Sequence, residues 1–134
     1  MSVHKGRCLC GNATFTIEGD FETFFLCHCG HCRKDTGSAH AANLFSSTAS
    51  LAWTSGEDKV RSFTLAGTRH TKAFCTECGS ALPNLQMDGK LLVVPAGSLD
   101  TPVTLKPAGH IFTASRADWD DGLEIVPKFE ALPS

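Results

Sequence analysis

Charge is scarce in this sequence, and neither sign dominates. Only 19% of its 134 residues are charged, below the average of roughly one quarter, which argues against a disordered or coiled-coil chain. Twelve Lys and Arg against fourteen Asp and Glu leave a net charge of -2. The longest basic run is Arg33-Lys34, so the cationic footprint of a nucleic-acid binder is missing. No apolar stretch approaches the ~18 residues of a membrane span, so neither nucleic acid nor membrane is expected as a partner. The opening Met1-Ser2-Val3-His4-Lys5-Gly6 lacks an apolar signal segment, and a cytoplasmic location is expected. No Ser/His/Asp triad or phosphate-binding glycine loop can be read. Hydrophobic residues make up 42% of the chain, enough for a buried core, and no linker, repeat or low-complexity segment divides it. Residues 1–134 read as a single domain.

What the chain does have is cysteine. There are seven, an odd count that cannot close fully into intramolecular disulfides and that suits a reducing compartment. All seven fall in short clusters: Cys8-x-Cys10, Cys27-x-Cys29-x-x-Cys32, and Cys75-x-x-Cys78 followed by Gly79. Such spacings bring sulfurs within reach of one metal ion, and the glycine lets the backbone turn back tightly. A thioredoxin-like reading of either C-x-x-C needs a neighbouring βαβ pattern, and none is visible. An iron–sulfur cluster is an alternative for a thiolate-rich site. Zinc leads: four thiolates close a structural site, while three leave a position open for chemistry. The division that keeps each cluster intact joins Cys8, Cys10, Cys75 and Cys78, and leaves Cys27, Cys29 and Cys32 as a three-ligand site. Other divisions, such as Cys8, Cys10, Cys27 and Cys29 together, stay open at this level.

The periodicity is strand-like. Ala13–Glu18 alternates apolar and polar residues, and Phe24-Phe25-Leu26 leads into the triplet. Leu85–Met87 and Lys90–Val94 flank Asp88-Gly89, a two-residue hairpin signal. Further short strands are expected near Ala42–Ser46, Leu51–Thr54, Val60–Leu65 and His70–Phe74. One short helix is predicted over Ser115–Asp121, capped by Ser115 and stopped by Gly122. The fold expected is mainly β.

Five ordered blocks carry a family likeness: Gly6–Gly11; Cys27-His28-Cys29-Gly30-His31-Cys32-Arg33-Lys34-Asp35-Thr36-Gly37-Ser38; Phe74–Ser80; Pro95–Asp100; and His110-Ile111-Phe112 with Ser115–Trp119. Over nearly its whole length the chain resembles the glutathione-dependent formaldehyde-activating family, whose relatives include centromere protein V. The resemblance implies a β-tent fold, in which short antiparallel strands are pinned by zinc knuckles. It implies two zinc ions per chain, a structural one on Cys8, Cys10, Cys75 and Cys78 and a catalytic one on Cys27, Cys29 and Cys32. It also implies an activity: joining glutathione or another small thiol to formaldehyde or a small aldehyde, classed in reverse as carbon–sulfur lysis. A non-catalytic zinc-stabilised module that binds protein partners is the alternative.

The triplet suits thiol chemistry. Three thiolates against a +2 ion leave a charge of about -1, which weakens Lewis acidity toward water and favours a soft sulfur ligand. Activation of a thiol as thiolate and polarisation of the aldehyde oxygen both remain open. Arg33 is a candidate for the reaction, either offsetting the thiolate charge or attracting an anionic thiol, and Lys34 is a weaker one. His28 and His31 are expected to point away from the metal. His40 and His110 are candidate proton carriers, His110 equally a structural histidine. Thr36, Gly37 and Ser38 are read as a turn, Gly79 and Gly97 as turn glycines, and Phe112 and Trp119 as core.

Overall fold

The computed structural model describes residues 2–133. Eleven strands and one α-helix follow in chain order: β1 (Val3–Arg7), β2 (Thr14–Glu18), β3 (Thr23–Cys27), α1 (Gly30–Thr36), β4 (Ala41–Ser46), β5 (Ser50–Ser55), β6 (Val60–Thr64), β7 (Thr71–Cys75), β8 (Ala81–Leu82), β9 (Asn84–Gln86), β10 (Leu91–Pro95) and β11 (Gly109–Ile111). They form three sheets, with strand orders β1-β2-β5, β11-β3-β4-β10-β9 and β6-β7-β8. The protein is mainly β, as its periodicity predicts. Every pairing is antiparallel except β11 against β3, which is parallel and sets Ile111 opposite Cys27. No described helix is long and apolar enough to cross a membrane.

Alternation explains how the sheets meet. In β2 the side chains of Phe15 and Ile17 are buried while those between them are not, so one face of the first sheet turns inward. In the central sheet β10 does not alternate, since Val93 is buried too, but its Leu92 and Val94 turn inward with Leu44, as do Ala73, Cys75 and Leu82 of the third. These inward-turned residues form one buried cluster, and Cys8 and Cys75 belong to it. Two of the seven cysteines are therefore core residues as well as members of a sulfur cluster.

Three expectations fail: the C-terminal helix, the core placement of Phe112 and Trp119, and the two-residue turn. The helix predicted over Ser115–Asp121 is absent: a 3-10 turn covers Thr113–Ser115, and Arg116 is extended. Its one large apolar residue, Trp119, finds no surface to cover and is exposed, as is Phe112, so neither belongs to the core. A helix of about two turns that buries little apolar surface has little to offset its nucleation cost. The helix that does form, α1, went unread because Cys32 is its only buried residue, leaving no apolar period to detect. The Asp88-Gly89 hairpin turns over four residues, 87–90, with Leu91 opposite Gln86 as the closing pair. Met87, Asp88 and Gly89 all take left-handed backbone there. Gly97 does lie in a turn, the 3-10 turn over Ala96–Ser98, and it does so without left-handed backbone. β1 was not anticipated because it is an edge strand that buries only Gly6.

Gly6 shows how tightly the first sheet meets the segment after β10. It forms an isolated bridge with Leu99, and a Cβ there would collide with the Ser98 carbonyl oxygen and the Phe15 ring. Gly6→Ala is expected to lower unfolding free energy by about 3 kcal/mol, the upper range for overpacking. Gly97→Ala, where a Cβ meets nothing within 4 Å, should stay within about 0.5 kcal/mol of wild type. Urea denaturation of the two variants checks the contrast.

Candidate metal centres

The four-sulfur cluster is built from two matching knuckles. Cys8 follows the end of β1 and Cys75 ends β7. In one knuckle the Gly11 N–H donates to the Cys8 carbonyl, and in the other the Gly79 N–H donates to the Cys75 carbonyl. Both glycines have φ near +80°, a backbone state that side-chain-bearing residues rarely adopt. The knuckles face each other, and the Leu9 N–H donates to the Ser80 hydroxyl across 2.9 Å. All four sulfurs lie within 4.8 Å of one another. The partition of Cys8 and Cys10 with Cys27 and Cys29 is therefore not the one the fold adopts.

The spacing fits a metal rather than a disulfide. Cys8 and Cys10 sulfurs are 3.6 Å apart, and Cys10 and Cys75 sulfurs 3.9 Å apart. Four Zn–S bonds of ~2.3 Å at tetrahedral angles set sulfurs about 3.8 Å from one another, whereas a disulfide needs about 2.05 Å. All seven cysteines are free. Protonation points the same way. Hydrogen bonds from the Ser80 hydroxyl and N–H pull Cys78 down to about 5. Against the Asn12 backbone N–H, desolvation and the sulfurs of Cys8, Cys78 and Cys75 push Cys10 up to about 11. Burial raises Cys8, but the Ala13 N–H at 3.3 Å and neighbouring thiols outweigh it and leave it lowered. Crowded sulfurs resist becoming thiolates together unless a cation offsets their charge.

The second cluster holds Cys27, Cys29 and Cys32, again within 4.8 Å of one another. Cys27 closes β3, and Cys29 is the N-cap of α1. The Cys29 sulfur accepts the Cys32 N–H at 3.3 Å, so a cysteine takes the place of the usual Ser or Asp cap. Gly37, in left-handed backbone, ends the helix one residue after Thr36, whose hydroxyl donates to the Cys32 carbonyl. Burial is the leading influence on all three thiols. It raises Cys27 and raises Cys32 most, while Cys29 is held lowered by the Cys32 N–H. No fourth donor of a metal-binding type joins this group among the described residues.

Residues 3–115 match the family described as glutathione-dependent formaldehyde-activating enzyme. The chain belongs to that family. No curated protein matches it. Among solved structures, a crystal structure of a Rhodobacter sphaeroides protein shares 22% identity and superposes with a TM-score of 0.59. That match covers 79% of this chain and 98% of the other, and it speaks for the fold alone.

For this family member, the triplet is surrounded by groups that sequence reading placed only in part. His28 is buried; its N–H donates to the Ile111 carbonyl, and its Nε2 lies 2.8 Å from His110 Nδ1. His28 Nδ1 is 3.2 Å from the Asp120 carboxylate, though not aligned for a hydrogen bond. The tautomer with His110 Nδ1–H donating to His28 Nε2 leaves a proton on His28 Nδ1 facing Asp120, and the reverse would set a lone pair against the carboxylate. The His40 ring packs against His28, tilted at 57° with centroids 5.1 Å apart. His31 is exposed on α1 and packs 5.5 Å from His70, whose Nε2 meets Asp35 at 2.8 Å. Arg33 Nη1 donates to the Ser115 carbonyl at 2.9 Å. Ser80, Asp120, Asp35 and His70 were missed. Only Ser80, directly after the Cys75 knuckle, left a local signal.

Two expectations follow. Metal analysis of purified protein should find about two zinc ions per chain. Cys75→Ser should lose one of them with most of the fold, because a structural zinc supplies folding energy; Cys32→Ser should lose the other and stay folded by circular dichroism. The second concerns His40, whose Nδ1 is buried without a partner. Burial, then His28 and His110, hold its pKa below the usual 6.5, with Asp120 opposing. A histidine kept neutral in the fold is protonated first in the unfolded chain, so this stability is present at neutral pH and is lost as pH falls below about 6.5. At equal zinc loading, His40→Phe should lose less stability than wild type between about pH 7.5 and 5.5, read as urea midpoints.

Proposed function

We propose that this chain joins a small thiol to formaldehyde or another small aldehyde, and in reverse cleaves the carbon–sulfur bond of the adduct. The observation that carries this reading is the incomplete sulfur set. Cys8, Cys10, Cys75 and Cys78 make four donors, while Cys27, Cys29 and Cys32 make three. A zinc ion bound by the triplet would supply an open position for a soft ligand and favour the thiolate form of a thiol held there. Cys32 is buried while Cys27 and Cys29 are half-buried, so the latter two are the more accessible of the three.

The reaction balances without redox change. The thiol gives up its proton, and its sulfur lone pair forms the bond to the carbonyl carbon. The π pair of the carbonyl moves to oxygen, which ends as a hydroxyl carrying that proton. Arg33 and Lys34 border a cleft of about 330 Å³ together with Gly30, Gly37, Ser38 and Trp119. One Arg33 nitrogen is tied to the Ser115 carbonyl, and the rest of the guanidinium fork suits the carboxylate of an anionic thiol such as glutathione. The open glycines leave room for a backbone-like substrate. A cytoplasmic, reducing setting goes with seven free cysteines.

The test is turnover of formaldehyde with glutathione and with the neutral 2-mercaptoethanol, using zinc-replete protein. Cys29→Ser should abolish activity with both. Arg33→Gln should raise KM for glutathione about tenfold, the worth of one charge-assisted hydrogen bond, and leave KM for 2-mercaptoethanol within about twofold. Unchanged zinc content and turnover in Cys29→Ser would sink the reading.

A further inference from the structure

The end of the described chain is apolar, acidic and exposed at once. Every residue from 121 to 133 is solvent-exposed, including Leu123, Ile125, Val126, Phe129 and Leu132. Ile125 is 84% and Leu132 88% exposed. Isolated exposed apolar residues are ordinary, but a contiguous run of them marks a contact surface. The area agrees. The chain exposes 8673 Å², whereas a compact monomer of 14.3 kDa exposes about 6,800 Å². The excess, about 1,900 Å², is more than the ~800 Å² that each partner gives to a standard interface.

Charge says what covers it. Residues 118–133 hold Asp118, Asp120, Asp121, Glu124 and Glu130 against Lys128 alone, while residues 1–117 carry a net +2. One surface elsewhere is complementary. On the sheet edge, Arg61 pairs opposite Phe74 and Phe63 opposite Lys72, so these four side chains share a face of β6 and β7. Phe63 is 52% exposed. Lys72 already binds Asp35, but neither Arg61 nor the nearby exposed Arg69 joins an ion pair among the described residues. Within one copy the tail and this face are both open to solvent, so neither covers the other.

We propose that the protein is a reciprocal homodimer. Residues 121–133 of each copy lie across the β6–β7 face of the other, with Ile125 and Phe129 against Phe63 and the tail carboxylates toward Arg61 and Arg69. Pro127 argues for side-chain docking over strand addition. A two-fold pair satisfies both surfaces of both copies, which is the usual closure for a self-complementary chain.

Sedimentation equilibrium of the zinc-loaded chain tests this. The expected mass is twice 14.3 kDa. The double variant Ile125→Asp/Phe129→Asp, a chain ending at Asp120, and the double variant Arg61→Glu/Phe63→Glu should each halve it, with zinc content and circular dichroism unchanged. Mixing the tail variant with the face variant should restore a dimer, because that pair alone keeps one intact tail-on-face contact. A wild-type chain that stays monomeric to about 100 μM, a dimer that survives the tail or the face variants, or a mixture that stays monomeric would each overturn the proposal.

Discussion

The fold depends first on the meeting of Cys8 and Cys10 with Cys75 and Cys78. These residues lie at or just beyond the ends of β1 and β7, strands of different sheets, and their sulfurs converge beside the Leu9–Ser80 hydrogen bond that also links the two knuckles. Cys8 and Cys75 are also buried core residues. The same atoms thus contribute apolar burial through Cβ and a cross-link through Sγ. Sulfurs 3.6 to 3.9 Å apart would repel one another as thiolates, and a cation held among them would offset that charge and tie the two knuckles together. A small β protein built from short strands, one of two residues, gains from such a tie, because it joins knuckles that belong to different sheets.

The triplet solves a different problem with similar parts. Its sulfurs are gathered by one strand end, one helix cap and one helix residue, all within six positions. Local hydrogen bonds hold it: the Cys32 N–H on the Cys29 sulfur, the Thr36 hydroxyl on the Cys32 carbonyl, and the His28 N–H on the Ile111 carbonyl. The parallel strand β11 brings His110 against His28, and the following turn brings Asp120 and Ser115 to the same place. A segment more than eighty positions away therefore builds one wall beside a site whose ligands are contiguous. The apolar, acidic stretch after Asp120 leaves from that wall, so a contact made by the tail would bear directly on the groups next to the triplet.

The residues whose roles are local were the legible ones. The cysteine spacings, the left-handed glycine after Cys78 and the alternation in Ala13–Glu18 each depend on neighbours a few positions away, and the structure uses them as their chemistry suggests. Features that depend on distant partners were not legible. α1 has no apolar period because its inward position is held by a cysteine, and Ser115–Asp121 mimicked a helix in composition while burying only Ala117 and leaving Trp119 exposed. Asp120 and His70 carry no motif of their own, and their meaning comes only from contact with His28 and Asp35.

From sequence alone, then, came a mainly β chain, seven cysteines in metal-ligand spacing, and a family likeness carried by five ordered blocks. Those properties follow from short-range geometry, which residue order encodes directly. Tertiary structure alone decided which cysteine clusters come together, because Cys10 and Cys75 stand 65 positions apart and meet at 3.9 Å only once the sheets are packed. It also decided that His28 turns inward to His110 while His31 is exposed, since His28 lies before the Cys29 cap, where the backbone is bonded to Ile111 of β11, and His31 lies on α1 itself.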